Sequence, residues 1–311
     1  MRDHGGGLDA AIAAWGGARG DWLDLSTGIN PVPYPLPPLP PWAWTALPDR
    51  DAARALEEAA RAFWSVPPEA EIVAAPGLSA LIARLPHLLR LPAVAIPGPT
   101  YNEWEAAFRA AGTAIADDPS APLCAVHPNN PDGRPVPPEA LEGRPLALLD
   151  ESFCDPTPEA SHMPRTADGR TVVLKSFGKF WGLAGLRLGF AILPPGPLAG
   201  ALREALGPWP VSGPALAVGA AALADRAWAE TTRTRLRRDA ARLDALMGGR
   251  GARLAGGTDL FRLYDVGDAR AFAAACARAR VLVRVFPWSP SLVRLGLPPP
   301  GEWDRLAAAL P

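Results

Sequence analysis

The stretch from Thr171 to Phe190 reads TVVLKSFGKFWGLAGLRLGF and holds both lysines of a chain in which lysine and arginine together number 31. Where arginine is the default cation, a retained lysine points to chemistry. An amine can deprotonate and attack a carbonyl, whereas a guanidinium stays charged. Lys179 lies between an apolar run and a glycine-punctuated loop ending at Arg187, and Lys175 stands four residues earlier at the end of that run. Other polar residues sit at similar breaks in the apolar pattern. Asp150 closes Leu-Leu-Asp, Asn130 opens Asn-Pro-Asp-Gly, and Gly77-Leu78-Ser79 separates a short apolar run from a helical one. A carboxylate at a strand end can hold a proton on a heterocyclic nitrogen, and backbone N–H groups at a helix start can cradle a phosphate. Taken singly, each has a plainer reading: Asp150 as a cap, Asn-Pro-Asp-Gly as a turn, Gly77 as a strand-to-helix linker.

The elements that must position these residues alternate. Short apolar strands are expected over 71–75, 93–96, 123–126, 146–150, 171–174 and 186–193. Helices are expected from Asp49 or Asp51 through Trp64, from Ala80 onward with a bend or break near Pro86, and over 101–111. That alternation implies an α/β fold: a large domain with a mostly parallel, seven-stranded type of sheet between helices, and ligands at the carboxyl ends of its strands. From about Pro214 the pattern becomes one long helical run closed by Gly248-Gly249, then strands over 260–266, 281–286 and 291–297 and helices over 269–280 and 302–310. With a helix over 8–15 and a strand near Leu23, this reads as a smaller α/β domain built from both termini. The expected organisation is 1–45 as an N-terminal segment joining the small domain, 46–213 as the large domain, and 214–311 as an interdomain helix plus the small domain.

Composition narrows the function classes. A net charge of −1 gives no case for nucleic acid or a membrane surface, and the arginines between 233 and 242, with Asp239 among them and Glu230 and Asp244 to either side, read as a solvated helix face. Three dispersed cysteines and four histidines without ligand spacing argue against disulfides and a metal site. The beginning MRDHGGGLDA carries no basic region followed by an apolar run, so no signal peptide and a cytoplasmic location are expected.

SFGKFWGLAGLRLG resembles the lysine-loop signature of fold-type I pyridoxal-phosphate enzymes, the aspartate-aminotransferase-like group, and other motifs of that group follow in the same chain order. The resemblance implies pyridoxal 5'-phosphate as cofactor, held covalently by Lys179, with Ser176 and Arg187 on its phosphate. It implies phosphate contacts from Gly77, Leu78 and Ser79, Tyr101 stacked on the ring, Asn130 on the phenolic oxygen, and Asp150 on the ring nitrogen. Arg294, in Val-Arg-Leu-Gly, matches the late arginine that pairs with a substrate carboxylate. Phe153 stands where many aminotransferases carry Tyr, and Ala46-Leu47-Pro48 replaces the Tyr-Pro of the histidinol-phosphate branch. The group also implies a homodimer.

His4-Gly-Gly, Leu23-Asp-Leu-Ser-Thr-Gly-Ile-Asn-Pro, Asp150-Glu-Ser-Phe and Val293-Arg-Leu-Gly-Leu-Pro are similar to the threonine-phosphate decarboxylase branch of cobalamin biosynthesis. That branch implies decarboxylation of L-threonine O-3-phosphate to 1-amino-2-propanol O-2-phosphate, with His4 and Asn30, beside Ser26 and Thr27, as candidates for the substrate phosphate. The glycines after His4 also fit a disordered terminus. Two other readings stand beside it: an aminotransferase of the histidinol-phosphate type, and a non-catalytic pathway partner that keeps the fold.

Overall fold

Strands β4 (Leu123–Val126), β5 (Ala147–Asp150) and β7 (Gly189–Leu193) are buried at every position. Such continuous burial is what strands covered by helices on both faces require, and it explains why these runs are uniformly apolar rather than alternating. The computed structural model describes residues 4–311. Besides the strands above, one sheet contains β1 (Glu71–Ala75) and β6 (Thr171–Ser176), in the order β1-β7-β6-β5-β4. Strands β2 (Ala93–Val94) and β3 (Ala114–Ile115) form a parallel pair that joins the β4 edge through an isolated parallel bridge between Ala95 and Leu123. The expected seven-stranded, mostly parallel sheet is present, with β7 antiparallel to both of its neighbours.

The chain divides into two compact units. The larger holds Tyr34–Asn130 and Pro135–Glu230; the smaller holds the residues up to Pro33, Pro131–Arg134 and Thr231–Pro311. The sequence alone placed the boundaries near 45 and 213. Helices α4 (Pro197–Leu206) and α5 (Gly213–Ala224) lie in the larger unit, and α5 packs on helix α1 (Arg50–Trp64) so tightly that a Cβ at Gly219 would come 2.8 Å from Leu56 Cδ1. Helix α1 starts where its cap predicts, with Asp49 Oδ1 accepting from the Ala52 N–H at 2.8 Å.

Three local expectations are corrected. Helix α2 (Leu78–Leu89) begins at Leu78 and runs unbroken past Pro86, which is buried with Leu81, Ile82 and Leu85 in the core against the sheet. The expected strand over 186–193 starts only at Gly189, because Arg187 has φ 52° and 184–186 form a 3-10 turn. The long helical run is two helices, α5 and α6 (Arg226–Gly248): Asp225 leaves the helical region and its Oδ1 caps the Trp228 N–H at 2.9 Å.

In the smaller unit, Arg253–Thr258, Phe261–Asp265, Arg284–Phe286 and Ser289–Gly296 form an antiparallel sheet. The first of these strands, RLAGGT, was not expected, since its glycines read as loop. The expected strand 281–286 is two strands serving different sheets: Val281–Leu282 pairs in parallel with Leu23–Asp24, and Arg284–Phe286 joins the antiparallel sheet. No helix among the described residues is long and apolar enough to cross a membrane.

Candidate active site

The polar residues singled out above lie at the carboxyl ends of β4, β5 and β6 and at the start of α2. Asp150 is the last residue of β5 and only 2% exposed. Its Oδ1 accepts from the Ser152 N–H at 3.0 Å and the Ser152 hydroxyl at 2.5 Å, and its Oδ2 accepts from Trp104 Nε1 at 2.9 Å. Trp104 lies on helix α3 (Asn102–Ala110), one turn after Tyr101. Burial pushes the Asp150 carboxyl above the usual carboxylate range; the Ser152 and Trp104 hydrogen bonds and the charge of Lys179 oppose that push without cancelling it.

Lys179 follows β6 by three residues, and its Nζ lies 5.5 Å from the centroid of the Phe153 ring. The loop around it is pinned by aromatic packing. Trp181 is stacked between Phe177 (5.2 Å, 9°) and Trp228 (5.2 Å, 14°), with Tyr34 and Phe180 meeting it edge-on. The same loop, through Gly182, Leu183, Gly185 and Leu186, lines an open cavity of about 670 Å³ together with Leu36, Trp44 and Pro48.

Gly77, at φ 81°, caps the twelve-residue helix α2, and a Cβ there would sit 2.8 Å from Arg187 Nη2. The exposed guanidinium therefore rests on the glycine at the helix N-terminus, and the left-handed turn at Arg187 that ends the β7 expectation brings it there. A Cβ at Gly189 would meet the Leu78 nitrogen at 2.7 Å, so the turn also sits directly on β7. Positive charge, unpaired helix-start N–H groups and a cradle only glycine permits fit an anion such as a phosphate. Ser79 is exposed beside it, and Ser176 is half-buried at the end of β6.

Asn130 and Tyr101 are both half-buried, on loops tied to each other one residue away: the Thr100 hydroxyl donates to Asn129 Oδ1 at 2.6 Å, and Asn129 Nδ2 donates to Pro99 O at 3.0 Å. An amine, a strand-end carboxyl and an anion cradle thus belong to one unit and one end of its parallel strands. That donor set fits pyridoxal phosphate: a phosphate for Gly77–Ser79 and Arg187, a basic ring nitrogen for Asp150, an aldehyde for Lys179.

Arg294, Asn30 and His4 lie in the smaller unit. Arg294 is 5% exposed, donates to Ser26 O at 2.7 Å and lies 5.1 Å from the Phe261 ring. Burial, aided by Arg284, pulls its guanidinium down to about 9. Asn30 is buried, and its Oδ1 accepts from the Val32 N–H at 3.0 Å and from Arg235 Nη2 at 2.6 Å. The His4 carbonyl accepts from Arg284 at 2.8 Å, and the Gly6 N–H donates to Ser26 Oγ at 2.7 Å. A Cβ on Gly5 would collide with the Ser26 carbonyl, so glycine there serves close packing beside Arg294.

Sequence reasoning missed Trp104, Ser152 and the surroundings of Lys175. Trp104 had a weak signal, an indole N–H one turn beyond Tyr101. His127, Glu151 and Cys154 have ligand atoms within 4.8 Å of one another, which suggests a metal, but they are already engaged. His127 Nδ1 accepts from the Val136 N–H at 2.9 Å, its Nε2 meets Ala160 O at 2.8 Å, and Glu151 faces a lysine.

Residues 114–310 match the family model for aminotransferase class I and II. A threonine-phosphate decarboxylase of Sinorhizobium sp is 40% identical over 99% of this chain and 97% of its own length. One from Pseudomonas aeruginosa is 40% identical over 100% and 97%. A histidinol-phosphate aminotransferase of Methanosarcina barkeri is 32% identical over only 57% of this chain and 55% of its own. In fold, the chain resembles the histidinol-phosphate aminotransferase of Clostridium acetobutylicum (TM-score 0.79, 18% identity, 92% of this chain and 97% of that one). It also resembles the enzyme of that name from Sinorhizobium meliloti, solved with pyridoxal-5'-phosphate (TM-score 0.78, 20% identity, 97% and 93%). The chain belongs to the aminotransferase class I and II family.

Proposed function

We propose that the chain is a pyridoxal-phosphate-dependent lyase that decarboxylates L-threonine O-3-phosphate to 1-amino-2-propanol O-2-phosphate, a step of cobalamin biosynthesis. The observation that carries this reading is the 40% identity to threonine-phosphate decarboxylases over essentially the whole chain, where the aminotransferase likeness covers 57%. When bound, the cofactor supplies an electron sink for the pair left behind as carbon dioxide departs. Gly77, Leu78, Ser79, Ser176 and Arg187 hold its phosphate. Asp150 keeps a proton on the ring nitrogen, with Ser152 and Trp104 fixing the carboxyl, while Tyr101 and Asn130 bound the ring. Lys179 anchors the cofactor through its amine and then returns a proton at Cα.

Arg294 pairs with the substrate carboxylate. Its burial and Ser26 contact fix the guanidinium before substrate arrives, which lowers the ordering cost. His4 and Asn30 serve the substrate phosphate. The Asn30 oxygen accepts from the Val32 N–H and Arg235 Nη2, which fixes the side chain in place. Phe153, an apolar ring beside Lys179, is consistent with a site that has dropped the phenol of many aminotransferases. The protein acts as a cytoplasmic homodimer in this reading; Leu36, Trp42, Trp44 and Leu47 are 66%, 57%, 69% and 67% exposed, an apolar surface suited to a second copy.

The test is to incubate the protein with cofactor and L-threonine phosphate, without any 2-oxo acid, and to measure carbon dioxide. Release that depends on Lys179 is expected. Amino transfer from histidinol phosphate without carbon dioxide would replace the lyase with the aminotransferase. No cofactor trapped at Lys179 by borohydride would remove both and leave the non-catalytic partner.

A further inference from the structure

The second lysine has a place in the fold that its position in the loop motif does not explain. Lys175 is 1% exposed, and its ammonium lies 2.8 Å from Glu151 Oε2 and 3.3 Å from Asp155 Oδ1, with the Trp64 ring centroid 5.8 Å away. Glu151 also accepts from the Ser161 hydroxyl at 2.6 Å and the His162 N–H at 2.7 Å, and Asp155 accepts from Trp64 Nε1 at 3.0 Å. Residues 151 and 155 are the two ends of a five-residue turn. Between them lie Ser152, which binds the Asp150 carboxyl, and Phe153, whose ring neighbours the Lys179 amine. The ammonium that grips both ends is four residues before Lys179 on β6.

We propose that Lys175 is a positioning residue: its buried ammonium clamps both ends of the turn 151–155 and so sets the places of Ser152 against Asp150 and of Phe153 against Lys179. This rests on the reading of Lys179 and Asp150 given above. Burial opposes the Lys175 charge, but Glu151 and Asp155 outweigh it and hold the amine well above its ordinary range, so the clamp stays charged. The remaining groups around it are Cys154, whose thiol burial pushes up, and His127, whose imidazole burial pulls down; both are neutral at pH 7. An ammonium suits this place because it reaches two carboxylates from one point, whereas a guanidinium is a planar fork.

The composition supplies a direct test. With Lys175 buried, Lys179 is the one lysine an amine-selective reagent reaches readily, so its labelling in the cofactor-free protein, followed by peptide mass spectrometry across pH, reports the amine itself. Lys175→Met frees the turn, removes a neighbouring cation and admits water to Lys179. All three favour the protonated amine, so the half-labelling point rises by about one pH unit, a tenfold change in proton concentration. Lys175→Arg retains the charge and restores most of the wild-type profile. Asp155→Asn releases one end while removing an anion, whose loss alone would lower the half-labelling point, so the smaller rise expected there reports the freed turn rather than charge, and this variant serves if Lys175→Met does not fold. Leu56→Ala, elsewhere in the same unit, lowers the melting temperature without moving the profile. Profiles for Lys175→Met and Asp155→Asn that shift no more than that of Leu56→Ala would overturn the proposal. Because the measurement uses no cofactor, failure of the pyridoxal-phosphate reading shows separately, as absence of cofactor binding in the wild type.

Discussion

Asp150 and Glu151 are neighbours in the chain and equally buried, 2% and 1% exposed, yet folding shifts their pKa values in opposite directions. Asp150 is the last residue of β5, and Glu151 continues the ladder by donating its N–H to Leu174 O at 2.9 Å, so their side chains leave the sheet on opposite sides. Asp150 meets an indole and a serine, neither of which offsets its burial, and its carboxyl is pushed up. For Glu151 burial is again the largest influence, but the Lys175 ammonium and the Ser161 and His162 donors reverse it, and the carboxyl is held down. One carboxyl is poised to share a proton; the other is locked as an anion. A single strand end therefore gives two buried carboxyls opposite proton affinities by the face to which each side chain turns.

The largest effect is expected at Lys179. Lys179→Ala is expected to lower carbon dioxide release by at least about 10³-fold, since in the proposed function it removes both the anchor and a proton carrier; steady-state assay with L-threonine phosphate checks it. On the scaffold side, Lys175→Met leaves two buried carboxylates without their cation and is expected to cost about 3–5 kcal/mol of stability, read by denaturant unfolding.

The sharper test is the pH dependence of stability in the cofactor-free protein. The Glu151 carboxyl is depressed on folding, so its contribution is fully present above the ordinary glutamate value and is lost as pH falls through the folded value. Glu151→Gln should cost about 1–3 kcal/mol at neutral pH, and the gap should close in acid. The Asp150 carboxyl is raised on folding, so the wild type loses stability as pH climbs from the ordinary aspartate value through the folded one. Measured against Asp150→Asn, the difference curve should slope the opposite way. Parallel slopes would mean that the two faces do not differ as described. The smallest expected effect is at the anion cradle. Gly77→Ala forces an L side chain to φ 81° and against Arg187, and should weaken pyridoxal-phosphate binding by roughly 1–2 kcal/mol, about tenfold, in an absorbance titration.

Features written in contiguous spacing were legible in the chain alone. The apolar runs ending at Val126, Asp150 and Ser176 are strands because such runs bury both faces, and the candidate residues Asn130, Asp150 and Lys179 lie at their ends or in the loops that follow. The helix after Asp49 was legible from its cap, and the seven-stranded sheet from the alternation of elements. Contacts between distant segments decided the rest. Helix α2 passes Pro86 because packing under the sheet outweighs the local penalty, and Asp225 divides a run that hydrophobic spacing reads as continuous. Gly5 is a close-packing residue only because Ser26 lies against it. Lys175 was only a position at the end of a strand run until the fold placed Glu151 and Asp155 against it. A charge acquires its meaning from partners that the chain brings near in space, and one-dimensional spacing carries no record of them.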